Sequence, residues 1–284
     1  MIVAFTGKMG AGKNTAASMV NFIVNGYTFK DWDIEFDSNQ YKNLQFNNRF
    51  AKYLLLYKYQ DFKHIVKEDV LEDIKMSVEV NPGFIFFEEK SFAAKIKDMA
   101  AILTGLPREN FDNRTLRNEF LPCPGLYDPM VVVQNSFKGI TFANLHNYTY
   151  RTFLQRLGTE AMRQRLHQDI WVNALMFEYL PLDPEKRRSV GNVLDYSDYT
   201  DYTWPGWVIT DLRFNNEAVA VREREGVIIE IVKLNVEHTS THGSEEGIDH
   251  DYINYTIQND GTYEDLFNKL QQLKNILLYE RSSD

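Results

Sequence analysis

The chain opens with a short apolar run, Ile2 to Phe5, closed by Thr6 and followed by glycines at 7, 10 and 12. An unbroken run of this kind predicts a strand buried on both faces rather than one with a solvent face. Beyond Lys13, apolar residues recur at Ala16, Met19, Val20 and Ile23, the spacing of one helix face. The same period returns at Phe92, Ile96, Met99 and Leu103, ending near Gly105 and Pro107. It returns again at Phe153, Leu154, Leu157 and Ala161, extending towards Leu166. A short strand at 207–210, a helix at 216–225 and a strand at 227–232 then form a β-α-β unit. A short strand at 254–258, a turn at Asn259-Asp260-Gly261 and a helix lined by Leu266, Leu270, Leu273 and Leu277 complete the chain. This alternation predicts an α/β fold with a mostly parallel sheet between helices.

Three stretches interrupt the pattern. Residues 27–90 are rich in aromatics, Asn and Asp, with amphipathic segments around 50–59 and 66–78, and predict a partly helical insertion. Residues 108–147 scatter Pro, Gly, Asn and aromatics and predict an irregular region on the substrate side. Residues 183–206 predict a loop. The whole of 1–284 is expected to form one domain carrying these additions.

The first strand-to-helix junction carries the sharpest chemistry. Gly7, Lys8, Met9, Gly10, Ala11, Gly12 and Lys13 lie between strand and helix, where glycines let backbone N–H groups wrap phosphate oxygens. The helix N-terminus adds partial positive charge, and Lys13 neutralises the outer phosphates. The residue after this lysine is commonly Ser or Thr with its hydroxyl on magnesium. Here it is Asn14, with Thr15 supplying a hydroxyl one step later. The glycine spacing does not fit the dinucleotide fingerprint.

Composition narrows the reading. A formal net charge of -9 argues against coating nucleic acid, while leaving room for a small anionic substrate in a local basic cleft. A single cysteine, Cys123, excludes disulfide scaffolding and multi-cysteine zinc sites and fits a reducing cytoplasm. The apolar start is too short for a secretory signal, and no apolar run reaches membrane-spanning length. A soluble, cytoplasmic protein is therefore expected.

Two further constellations stand out. Asp211 and Arg213 follow the 207–210 strand, and ligands gather at the carboxyl ends of parallel strands. Arg213 can grip a phosphate through two N–H donors, while Asp211 can orient it, hold magnesium through water or bond a hydroxyl; a surface ion pair is the plainer alternative. The 151–160 segment presents Arg151, Gln155 and Arg156 beside Gly158 and Thr159, a set able to stabilise a transferring phosphoryl group, or simply a solvated helix face. Trp171 follows it and can stack on a base or fill the core. His238, His242 and nearby His250 have metal-like spacing inside a Thr/Ser/Gly loop.

In order along the chain, these pieces resemble the deoxynucleoside monophosphate kinases of tailed bacteriophages, within the P-loop NTPase superfamily. The resemblance rests first on Phe5-Thr6-Gly7-Lys8-Met9-Gly10-Ala11-Gly12-Lys13-Asn14-Thr15 and Ser91-Phe92-Ala93-Ala94-Lys95-Ile96-Lys97-Asp98-Met99. It continues with Leu154-Gln155-Arg156-Leu157-Gly158-Thr159-Glu160, Trp171-Val172-Asn173, Thr210-Asp211-Leu212-Arg213-Phe214-Asn215-Asn216-Glu217 and Asn259-Asp260-Gly261-Thr262. The chain departs from the family in Asn14, where Asp is frequent, in lacking a proline within 92–97, and in the 27–90 insertion.

The resemblance implies a three-layer P-loop sandwich and transfer of the ATP γ-phosphoryl group to a deoxynucleoside 5′-monophosphate. It implies Mg2+ with ATP, Asn14 and Thr15 near that metal, the loop 7–15 on ATP, and Lys13, Arg151 and Arg213 as catalytic. It places Arg151, Gly158, Thr159, Trp171, Asp211, Arg213 and Glu217 on the substrate side, with Arg114 a weaker candidate for the acceptor phosphate. Partners are then small nucleotides, a homodimer is an allowed assembly, and the setting is the cytoplasm of a host cell if the source is viral. A kinase for another small acceptor, similar to dephospho-coenzyme A kinase, shares the loop and sheet. A regulatory nucleotide-binding protein without turnover is the alternative from another class, and Asn14 is the residue that favours it.

Overall fold

The computed structural model describes residues 1–33, 54, 58, 87–123, 127–137, 140–179, 206–234 and 247–278, with backbone alone for 127–137 and 140–147. Most of the expected 50–59 and 66–78 segments, the loop at 183–205, and His238 and His242 lie outside the described residues. The strands are β1 (Ile2–Thr6), β2 (Phe87–Lys90), β3 (Tyr127–Phe137), β4 (Ile140–Asn147), β5 (Gly206–Ile209), β6 (Val227–Val232) and β7 (Tyr255–Gln258). The helices are α1 (Lys13–Val24), α2 (Phe29–Trp32), α3 (Phe92–Thr104), α4 (Tyr150–Gln155), α5 (Ile170–Met176), α6 (Asn215–Arg222), α7 (Tyr263–Gln272) and α8 (Lys274–Leu278). Contacts divide the chain into two compact units, Met1–Lys90 with Tyr179–Asp284, and Ser91–Glu178.

The first unit is built on a five-stranded sheet in the order β2-β5-β1-β6-β7, with every pairing parallel. β1 is central, with Ile2 opposite Trp207 on one side and Val3 opposite Val227 on the other. That position explains its unbroken apolar run. Period two sends Val3 and Phe5 to the face covered by α1 and α7, where Met19, Val20, Ile23, Phe267 and Leu270 are buried. Ile2 points to the other face: a Cβ on Gly226 would lie 3.1 Å from Ile2 and 2.6 Å from Val221 of α6. The expected α/β sandwich with a parallel sheet is the observed architecture.

β2 lies inside the stretch expected to form a partly helical insertion. Only Phe87 of its four residues is buried, so it carries little apolar signal. Its position is fixed from α1, where the buried Asn21 side chain donates to the Phe87 carbonyl at 2.9 Å and accepts from the Phe87 amide at 2.7 Å.

In the second unit, Ala100, Phe111, Leu121, Tyr150, Phe153 and Leu157 form the core. The expectation of an irregular 108–147 is corrected there. Arg108–Phe111 is a 3-10 turn, and β3 and β4 form an antiparallel ribbon with Phe137 opposite Ile140. The register shifts between Tyr127 and Val132, which breaks the alternation that would have betrayed the strand. The helix expected from Arg151 starts as α4 but continues as a π-helix over Arg156–Arg163.

Candidate functional site

β1 ends at Thr6 and the chain turns at once through the glycine loop into α1. Gly7 has φ +127°, and a Cβ there would meet the Ile231 carbonyl oxygen at 2.2 Å, so only glycine lets the loop leave beside β6. Gly12 caps α1 with φ +106° and supplies no side-chain capping oxygen. The first-turn amides therefore offer the anion-binding end of the helix. Lys13 is 9% exposed, and its ammonium folds back to donate to the carbonyls of Gly7 at 2.6 Å and Lys8 at 2.8 Å. Asn14 is exposed and Thr15 half-buried on the same turn.

β5 lies beside β1, so the Asp211 to Arg213 segment emerges at the same carboxyl edge of the sheet as the loop. Both side chains are half-buried, with Leu212 fully buried between them. Glu217, assigned by resemblance to the substrate side, is 1% exposed, and its Oε2 accepts from the amides of Arg213 at 2.8 Å and Phe214 at 3.2 Å. It caps α6 and holds the Arg213 backbone in place; its part is positioning. At the end of β2, burial pushes the Glu89 carboxyl up from its ordinary value, and the Asp211 carboxylate adds to the effect. A cavity beside α1 lined by Ser18, Asn21, Lys58 and Glu89 measures about 20 Å³, room for one water and not for a nucleotide. The oxygens on this edge, from the Asn14 amide, Thr15 hydroxyl and Asp211 carboxylate, suit a hard cation such as Mg2+.

The remaining candidates belong to the second unit. Arg151 is half-buried on α4, where its amide donates to the Arg117 carbonyl at 2.9 Å. Arg114 is exposed, Thr159 half-buried on the π-helix, and Arg156 pairs with Glu160 at 2.6 Å. Of the two roles open to Trp171, the structure selects the core. The ring is 2% exposed and its indole N–H donates to the Gly158 carbonyl at 2.8 Å, which leaves no face for a base. Gly158 packs against Ile96, whose Cδ1 would lie 2.9 Å from a Cβ there.

Sequence reasoning passed over two residues of the edge. Glu89 gave no signal, because its strand has a single buried apolar residue. Asn259 was visible as part of a turn and of a stretch resembling the family, with no role of its own, yet its side chain reaches the glycine loop, donating to the Ala11 carbonyl at 2.7 Å. Among the described residues no group of three or more His, Cys, Asp or Glu could hold a metal ion, and no helix is long and apolar enough to cross a membrane.

The family model for deoxynucleotide monophosphate kinase matches residues 1–270. The chain belongs to that family. Among its curated relatives, the deoxynucleotide monophosphate kinase of Escherichia phage RB69 is 25% identical over 126 residues, covering 44% of this chain and 45% of that protein. That of Enterobacteria phage T4 is 24% identical over 130 residues, covering 46% and 47%. The chain thus spans a little under half the length of the curated relatives it matches. The deoxynucleotide monophosphate kinase match takes in both the glycine loop and the Asn259 turn, from β1 to the end of the sheet.

Proposed function

We propose that the protein transfers the γ-phosphoryl group of ATP to a deoxynucleoside 5′-monophosphate, giving ADP and a deoxynucleoside diphosphate. An oxygen of the acceptor's 5′-phosphate attacks the γ-phosphorus as the bond to the β,γ-bridging oxygen breaks, and the electron pair leaves on ADP. The acceptor oxygen is already anionic, so no general base is needed and catalysis is positioning and charge neutralisation. The observation that carries the reading is Lys13, buried at the start of α1 with its ammonium inside the loop, in a chain whose family match covers 1–270.

In this reading residues 7–15 hold the ATP phosphates and Lys13 exchanges its carbonyl partners for phosphate oxygens. Thr15, Asn14 and Asp211 would hold Mg2+, which would supply charge neutralisation to the triphosphate. Arg213, backed by the Glu217 cap, takes the acceptor phosphate. Arg151, with Arg114 and Thr159, contributes on the acceptor side by family resemblance. The partners are small nucleotides and the setting is the cytoplasm, that of the host cell where the source is viral.

The deciding experiment offers MgATP with dAMP, dGMP, dCMP and dTMP in turn, and with dephospho-coenzyme A, and follows ADP release by a coupled assay. Turnover with at least one of the four supports the reading. ATP bound but not consumed with any of them, or consumed only with dephospho-coenzyme A, overturns it.

A further inference from the structure

The loop that follows β7 is fastened on every side. The Asn259 amide donates to the Val232 carbonyl at 2.7 Å, Asp260 Oδ1 accepts from the Leu234 amide at 2.8 Å, and Asp265 Oδ2 accepts from the Thr262 amide at 2.8 Å. From that fixed base the Asn259 side chain reaches the glycine loop, where Nδ2 donates to the Ala11 carbonyl at 2.7 Å. Ala11 is fully buried. The approach is close: a Cβ on Gly12 would lie 2.5 Å from Asn259 Nδ2.

The consequence follows from peptide geometry. No peptide bond among the described residues is cis, and in a planar trans unit the C=O and the following N–H point in opposite directions. Drawing the Ala11 carbonyl towards Asn259 therefore turns the Gly12 N–H away from β7. Gly12 is flexible enough, at φ +106°, for this peptide to rotate if the pull is released. Lys13 collects two other carbonyls of the loop, those of Gly7 and Lys8, but must give them up to reach phosphate. Asn259 makes its contact from outside the loop and has no such conflict.

We propose that Asn259 is a positioning residue for the phosphate loop, holding the peptide between Ala11 and Gly12 in the orientation that presents the Gly12 N–H to the triphosphate. The proposal rests on the phosphate-loop reading of residues 7–13 and deepens it. Asn259 acts on the phosphates through the loop, independently of the nucleoside.

The test uses the full chain and the variants Asn259→Ala and Asn259→Asp, the second matching the parent side chain in size while removing the donor. Titration calorimetry measures binding of magnesium adenosine 5′-(β,γ-imido)triphosphate and, separately, of inorganic tripolyphosphate; circular dichroism confirms folding. Both variants should bind both ligands roughly tenfold more weakly than the parent, the scale of one lost charge-directing hydrogen bond. The KM for the accepted monophosphate should be unchanged. A folded variant that binds both ligands within about twofold of the parent overturns the proposal, as does a loss confined to the imidotriphosphate, which would assign Asn259 to the nucleoside end. A parent protein that binds neither ligand refutes the phosphate-loop reading itself, a result distinguishable from the other two.

Discussion

The indole N–H of Trp171, on α5, donates to the carbonyl of Gly158 in the π-helix at 2.8 Å. Widening the helix from four to five residues per hydrogen-bonded turn changes where backbone carbonyls project, and a partner outside the helix can then claim one. Beside that carbonyl, a Cβ on Gly158 would press on the Ile96 Cδ1 at 2.9 Å.

Gly158→Ala should accordingly destabilise through Ile96. The clash involves the Ile96 Cδ1 at 2.9 Å, the atom that Ile96→Val removes. In a double-mutant cycle followed by urea unfolding, the pair should be less destabilised than the sum of its singles by about 0.5 kcal/mol or more. Additivity would show that Ile96 is not the neighbour that demands glycine.

Lys13→Ala should lower kcat by about 10²- to 10³-fold, the usual loss for a group that stabilises transition-state charge. The side chain bonds carbonyls of its own loop, so circular dichroism and thermal unfolding should change little. Turnover within a few-fold of the parent would remove the loop from the chemistry.

Arg213→Ala should raise the KM for the monophosphate and leave ATP affinity near its parent value. Glu217→Ala should do the same more weakly and also destabilise by about 1 to 3 kcal/mol, because the amides of Arg213 and Phe214 lose a buried acceptor. Calorimetry that found ATP binding lost and monophosphate binding kept would assign this segment to the other nucleotide.

Glu89 links the sheet edge to pH. Its carboxyl is held above the ordinary value of 4.5 by burial and then by Asp211, so the folded protein keeps this proton to higher pH than the unfolded chain does. The stability it contributes is present below pH 4.5 and lost as pH rises through the folded value. Glu89→Gln should therefore raise Tm at pH 7 by roughly a degree or two, and the gain should fade as pH falls below the ordinary carboxylate range. An equal gain at both pH values would mean that charge is not the cause.

Legibility in the sequence tracked how local each feature is. β1, the glycine loop and α1 were readable because strand run, glycines, lysine and helical period all fall within residues 2–24. The Asp211 to Arg213 segment was readable for the same reason, as the tail of a short apolar strand. The Asn259 contact joins positions 248 apart, and nothing near residue 259 names its partner. Trp171 and Gly158 looked like ligand contacts because a buried tryptophan and a tight glycine follow equally from packing. β3 hid behind its register shift, and β2 behind its three charged residues.

Asn21 has a consequence of another kind. Among the described residues β2 is the outermost strand of its sheet, and a strand edge is a template on which foreign chains pair. By occupying both the N–H and the C=O of Phe87, one amide side chain on α1 stands in for a sixth strand at that position. Asn21→Leu should thus reveal itself during refolding from urea, as light scattering that grows with protein concentration. Any native fraction that survives should still turn over at the parent rate.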